Sequence, residues 1–204
     1  MPPILNPAPL WQPDRSEFII LWHGCTALDK DAIEQNGIDL TVCRPNADFG
    51  RGFYTTTLER QARHWAWSRF YEWQGKSPGI TGNYPVVLRF RVKRYGKKGL
   101  DKLSSLQFVL GDYDNEDYWS LVQHCRQSTA QTINDHKPPS GGWYDLVSGP
   151  VAAFWSQRVA MNGSDQISFH EKGIKVLNDL IDQGKGKGPD GRGDPDYFQW
   201  SPMP

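Results

Sequence analysis

Three stretches of the sequence carry side chains that could do chemistry. The first is Trp22-His23-Gly24-Cys25-Thr26, where a histidine ends an apolar run and a glycine follows it. An imidazole titrates near neutrality, and a neighbouring glycine lets a ligand come close to the backbone. The second is Asp48-Phe49-Gly50-Arg51-Gly52-Phe53-Tyr54-Thr55-Thr56, where Gly50 and Gly52 flank Arg51 and Tyr54 offers an aromatic face. The third is Asp165-Gln166-Ile167-Ser168-Phe169-His170, polar side chains that open a late strand. Each residue taken singly has a structural reading as well. His23 could be a hydrogen-bonded core histidine, Tyr54 a core aromatic, Gln166 a turn cap, and Arg44 and Arg51 solvated loop charges. The residue types do not suggest a metal. Cys25, Cys43 and Cys125 are widely spaced with no CxxC, which is neither a zinc site nor a disulfide framework and fits a reducing compartment. Asp48-Phe49-Gly50 spells the magnesium triplet of protein kinases, but the chain has no HRD-type loop and is too short for that fold.

The elements that must position these residues can be read from periodicity. Glu17–His23 is apolar and rich in β-formers, so it predicts a buried strand. Asp29–Asn36 predicts a short helix stopped by Gly37. Gly50–Thr57 predicts a short strand, and Thr56 with Glu59 predicts a capping box opening a helix over Leu58–Gln74. Pro85–Lys93 alternates as a half-exposed strand, and Leu106–Leu110, Tyr144–Val151 and Gln166–His170 are further strands. Asn115–Thr129 and Glu171–Gln183 read as helices. Helices and strands do not alternate regularly, so the fold class is α+β. The domain is expected over residues 17–183, between a Pro-rich tail (1–16) and a flexible Gly/Pro-rich tail (184–204).

Composition bounds the function. The 204 residues suit one domain, and 38% hydrophobic with 23% charged residues is a globular composition. Lys+Arg and Asp+Glu are both 23, which argues against a protein built mainly to hold a polyanion. No run approaches the roughly 20 apolar residues of a membrane helix, and the Pro-interrupted N-terminus does not read as a signal peptide. A cytoplasmic location is expected, with secretion by a signal-free route left open. Nine Trp suit a core but also stacking pockets for flat ligands.

In this order, His-Gly on the first strand, Asp-Phe-Gly-x-Gly-Phe-Tyr-Thr-Thr and a helix with Gln-Ala-x-x-Trp-Ala resemble the ADP-ribosyltransferase superfamily. Within it, the chain looks like a poorly characterised family of unknown function. The Tyr144–Ala152 and Asp165–Phe169 segments are similar to that family's downstream pieces, so the resemblance spans roughly residues 18–181. It implies a split β-sandwich with flanking helices and NAD bound between two sheets, in the His–Tyr–Glu branch.

Carried over by position, the resemblance gives His23 a hydrogen bond to a ribose of NAD. It gives Gly24 a backbone contact to the nicotinamide amide, and Tyr54 the ring that stacks on nicotinamide. The glutamate position falls on Gln166, which can bond the ribose 2′-hydroxyl but brings no negative charge for an oxocarbenium-like transition state. Asp165 and Asp48 are the candidates to replace that charge. Arg44 and Arg51 are candidate diphosphate contacts, Gly52 gives close approach, and Tyr71 and Trp67 could add a second wall to the ring pocket. The implied activity is NAD-dependent mono-ADP-ribosyl transfer, with or without NAD glycohydrolase activity, and with no metal. A protein acceptor is favoured over nucleic acid or a small molecule. The implied setting is a toxin or effector with a neutralising partner. The alternatives are a non-catalytic NAD or ADP-ribose binding module and a Trp-rich interaction protein that binds no nucleotide.

Overall fold

In the computed structural model the described residues are 16–78, 81–108, 114–127 and 143–204. They form two four-stranded sheets and four α-helices. The first sheet has the order β1 (Phe18–Thr26), β3 (Pro85–Lys93), β8 (Phe198–Pro202), β7 (Gly193–Asp194), all antiparallel. The second has the order β2 (Phe53–Thr55), β6 (Val159–Phe169), β5 (Leu146–Phe154), β4 (Ser105–Gln107), with β4 and β5 parallel. The α+β class stands.

The inner faces of the two sheets meet over the main core. Leu21, Leu88, Phe90 and Phe198 from the first sheet pack with Phe53, Leu146, Ile167 and Phe169 from the second, sealed by Ile174, Leu177 and Ile181. Those last three recur at helical spacing on α4 (Glu171–Gly184), so one stripe of that helix is apolar and buried. The outer face of the second sheet holds another cluster, with Tyr118, Trp119, Leu121 and Val122 of α3 (Glu116–Gln127) over Leu106, Val147 and Phe49.

Helix α1 (Ala27–Asn36) starts at a capping box. The Thr26 hydroxyl accepts from the Asp29 N–H at 3.3 Å, and the Asp29 carboxylate accepts from the Thr26 N–H at 3.1 Å. It ends at Gly37, whose φ of +77° suits glycine. Helix α2 (Glu59–Lys76) lacks the expected box, because Leu58 is its N-cap and makes no side-chain cap bond. The Thr56 hydroxyl donates instead to Asp165, and it accepts from the Leu58 N–H at 3.1 Å.

The expected flexible C-terminal tail is corrected. Residues 193–202 complete the first sheet, with Phe198 opposite Phe90 and fully buried. The late aromatics explain it, since each large ring removed from water stabilises by about 2 kcal/mol. The glycines serve the turn that leads into β7, where the Gly191 N–H donates to Gly188 O at 3.0 Å, with Gly191 at φ +73° and Gly193 at φ +93°. The Pro-rich residues 1–15, and parts of the expected Leu106–Leu110 strand and Asn115–Thr129 helix, lie outside the described residues.

Candidate functional site

The facing edges of the two sheets are β1 and β2, and they are joined by one antiparallel bridge. Trp22 and Thr56 exchange both backbone hydrogen bonds, at 2.8 and 2.9 Å. Two residues further along this register, Gly24 stands opposite Tyr54, and among the described residues no backbone hydrogen bond joins the two. The His23 side chain enters the gap and its Nδ1 lies 2.6 Å from the Tyr54 carbonyl oxygen. That bond takes the acceptor that the Gly24 N–H would meet in a continued ladder. Hydrogen-bonding direction alternates along a strand, so the Gly24 N–H and C=O point to this open edge, as those of Trp22 do. Neither has a strand partner there among the described residues.

The His23 ring stacks on Phe53 at 4.2 Å. With Nδ1 donating to a carbonyl, Nε2 is the acceptor in the neutral ring, and it has no hydrogen bond among the described residues. Burial lowers the His23 pKa and the bond to Tyr54 opposes that shift, so the ring is neutral at pH 7. Gly24 is required by packing. A Cβ there would stand 2.1 Å from the Ala62 oxygen and 2.6 Å from the Ala66 nitrogen, so α2 lies directly on β1.

His23 and Tyr54 project from opposite sides of the seam. Phe53 and Tyr54 alternate, and His23 rests on Phe53. Tyr54 turns to the outer face, where its hydroxyl donates to Gly50 O and accepts from the Phe49 N–H, both at 2.8 Å. Burial and the Asp48 carboxylate hold its phenol well above the ordinary value. The structure therefore ties His23 to the backbone of Tyr54, and the Tyr54 ring braces the loop before β2.

Gln166 shares that outer face. Its Nε2 donates to Asp48 Oδ2 at 2.6 Å and to Pro150 O at 2.8 Å. Asp48 also accepts from the Ala152 N–H at 2.9 Å and from Arg126 Nε at 2.7 Å. Asp165 is saturated too, by the Thr56 and Thr57 hydroxyls and by the Thr57 N–H at 3.0 Å, while Gln61 clamps its backbone from both sides. Neither carboxylate is an open charge.

The remaining expected contacts lie elsewhere. Arg51 Nη1 donates to Thr41 O at 2.7 Å and Cys43 O at 2.9 Å, so it closes the turn over Leu40–Val42. Arg44 pairs with Glu72, which Arg69 and Lys76 also hold, and these cations depress the Glu72 pKa to about 2. A Cβ on Gly52 would stand 2.0 Å from Ser168 Oγ, so that glycine gives close packing. Tyr71 is exposed and stacks on Trp67 at 5.4 Å, not on Tyr54.

The sequence placed Ser168 and His170 in the third candidate stretch without giving either a role, and it gave no sign of Arg126. Ser168 and His170 continue the Gln166 face at every second residue, a period-two signal visible in the sequence. His170 Nδ1 bonds Arg51 O at 2.9 Å, while Nε2 receives Trp143 Nε1 at 3.4 Å and lies 3.2 Å from Ser168 Oγ. Burial pushes its pKa down to about 4. Arg126, the partner of Asp48, carries no local signal. Among the described residues no cluster of His, Cys, Asp and Glu could hold a metal ion, and no helix is long and apolar enough to cross a membrane.

No curated protein and no solved structure matches the chain. A family model described as a protein of unknown function, DUF3990, matches residues 19–177, from the start of β1 to the middle of α4. The match runs through the seam, the Asp48 loop and Gln166, and the chain belongs to that family.

Proposed function

We propose that this protein binds NAD at the open seam and transfers ADP-ribose from it to a macromolecular acceptor, with protein favoured. The observation that carries the reading is the split between β1 and β2. A carboxamide presents one acceptor and two donors in a plane, and the Gly24 N–H and C=O, without a strand partner among the described residues, offer the matching pair. His23 Nε2, adjacent on the same strand, is an acceptor ready for a ribose hydroxyl.

The chemistry asks for few groups. The nicotinamide–ribose bond breaks with its electron pair leaving on a neutral ring. The acceptor nucleophile then bonds the ribose carbon and gives its proton to solvent. Holding ring and ribose in place supplies much of the rate, and no metal is needed. The stabilising charge is the weak point. Asp48 and Asp165 spend their oxygens on internal donors, and Gln166 is neutral, so turnover is slow. That observation favours a second reading, an NAD or ADP-ribose binding module on the same fold.

Nicotinamide release from NAD by the purified protein, with and without cell lysate, separates these readings. The expected result is slow release, stimulated by lysate and reduced at least tenfold by His23→Ala. Binding of NAD without release selects the binding module. Neither binding nor release overturns both NAD readings and leaves the interaction protein.

A further inference from the structure

Alternate residues of β3 set Arg89, Arg91 and Lys93 on the outer face of the first sheet. Two of these cations have a carboxylate. Arg91 Nη1 lies 3.3 Å from Asp196, and Lys93 Nζ lies 3.4 Å from Glu17. Arg89 has no carboxylate partner among the described residues. Its Nη1 donates to Pro195 O at 2.5 Å, and its guanidinium stands 5.9 Å from the centre of the Trp22 ring. A guanidinium carries five N–H donors, so this half-buried cation has donors left to give.

Arg89 lines a cavity of about 160 Å³. The strand register sets Trp22 on one side of it and Gln199 on the other, with Ser201 beside Val87 two residues along. The Gln199 amide and the Ser201 hydroxyl are half-buried at the same cavity and make no side-chain hydrogen bond among the described residues. The two carboxylates on its walls are already matched. Glu59 pairs with Arg63 at 3.0 Å, and Asp190 lies 3.5 Å from Arg192 Nε and accepts the Arg192 N–H at 3.0 Å. The surplus charge at the cavity is therefore that of Arg89.

We infer that this cavity is a binding site for a phosphate group, held by Arg89, Gln199 and Ser201. A guanidinium fork fits paired phosphate oxygens. Three separate donor groups exceed what the two oxygens of a carboxylate need, and a phosphate offers more oxygens to meet them. The cavity is smaller than the roughly 300 Å³ at which pockets for whole drug-sized ligands begin, so it takes the phosphate and leaves the rest of the molecule outside, beside the Trp22 ring. Trp22 and His23 point to opposite faces of β1, so the site is separate from the seam and does not rest on the NAD reading.

Calorimetric titration with inorganic phosphate, at neutral pH and constant ionic strength, tests this. Saturable binding with a dissociation constant of about 1 mM is expected, the scale of two or three charge-assisted hydrogen bonds. Acetate should give no saturable heat. Phenyl phosphate that binds more tightly than inorganic phosphate assigns the site to an aryl ester, and equal binding assigns it to the phosphate group alone. Arg89→Gln should weaken phosphate binding at least tenfold. Arg91→Gln, whose charge already has Asp196, should change it less than about threefold.

Should Arg89→Gln fail to fold, Gln199→Val carries the test. The Gln199 side chain has no hydrogen bond to lose, and valine suits a strand. Its melting temperature without phosphate should stay close to wild type, while phosphate binding weakens about fivefold. A wild-type protein that gives no saturable phosphate binding overturns the proposal. So does acetate binding as tightly as phosphate, or a folded Arg89→Gln or Gln199→Val variant that binds phosphate as wild type does.

Discussion

His170 is buried and His23 half-buried, both have lowered pKa values, and they are set on opposite faces of the second sheet's edge. Nδ1 of each bonds a backbone carbonyl, Tyr54 O for one and Arg51 O for the other. They part at Nε2. In His170 it is enclosed by Trp143 and Ser168. In His23 it is unpartnered among the described residues and stands beside an unpaired stretch of strand edge. A ring nitrogen that is not enclosed can take a hydrogen bond from a ligand, whereas an enclosed and satisfied one cannot. A half-satisfied ring next to an open backbone edge is therefore where a ligand gains most, and a fully satisfied ring is scaffold.

The contrast can be broken from either side. The largest effect is expected from glycine substitution on the His23 side. Gly24→Ala drives a Cβ into the backbone of α2 at Ala62 and should cost about 3 kcal/mol in chemical denaturation. Gly52→Ala, on the His170 side, meets first a serine hydroxyl that can rotate, and about 1 kcal/mol is expected.

Acid titration comes next. The folded pKa of His170, about 4, lies below its ordinary 6.5. Its contribution is thus full above pH 6.5 and is lost progressively as pH falls towards 4. The loss is about 3 kcal/mol, and His23 adds in the same direction. His170→Gln should flatten most of this slope in pH-dependent denaturation. A slope left unchanged would place the acid sensitivity elsewhere.

Smaller effects mark the periphery. Thr26→Ala removes the hydroxyl of the α1 capping box and should cost about 1 kcal/mol. Arg44→Gln breaks an exposed pair with Glu72. Less than about 1 kcal/mol is expected, vanishing in high salt.

The sequence made local features legible. Alternation bounded β3 correctly at Pro85–Lys93, and His23-Gly24 marked the seam. Features set by distant partners were not legible. The Thr56-x-x-Glu59 pattern is a sound capping box, but an acceptor 109 residues away captures the Thr56 hydroxyl. The Gly/Pro-rich C-terminus reads as a tail because its local composition is turn-forming, and its late aromatics Tyr197, Phe198 and Trp200 do not say that the edge of β3 is where they dock. Gln166 was legible as a candidate, yet the carboxylate that orients it lies 118 residues earlier in the chain. Arg51 looked like a free cation until the carbonyls of Thr41 and Cys43 came to it.

The central claim is that the open seam beside His23 is the NAD site. The most direct measurement is calorimetric titration of NAD into wild-type, His23→Ala and His170→Gln proteins above pH 7, where both rings are neutral in the wild type. The account predicts saturable binding to wild type, at least tenfold weaker binding to His23→Ala, and near-wild-type affinity for folded His170→Gln. Wild-type protein that gives no saturable heat, or a His23→Ala variant that binds as tightly as wild type, would contradict it.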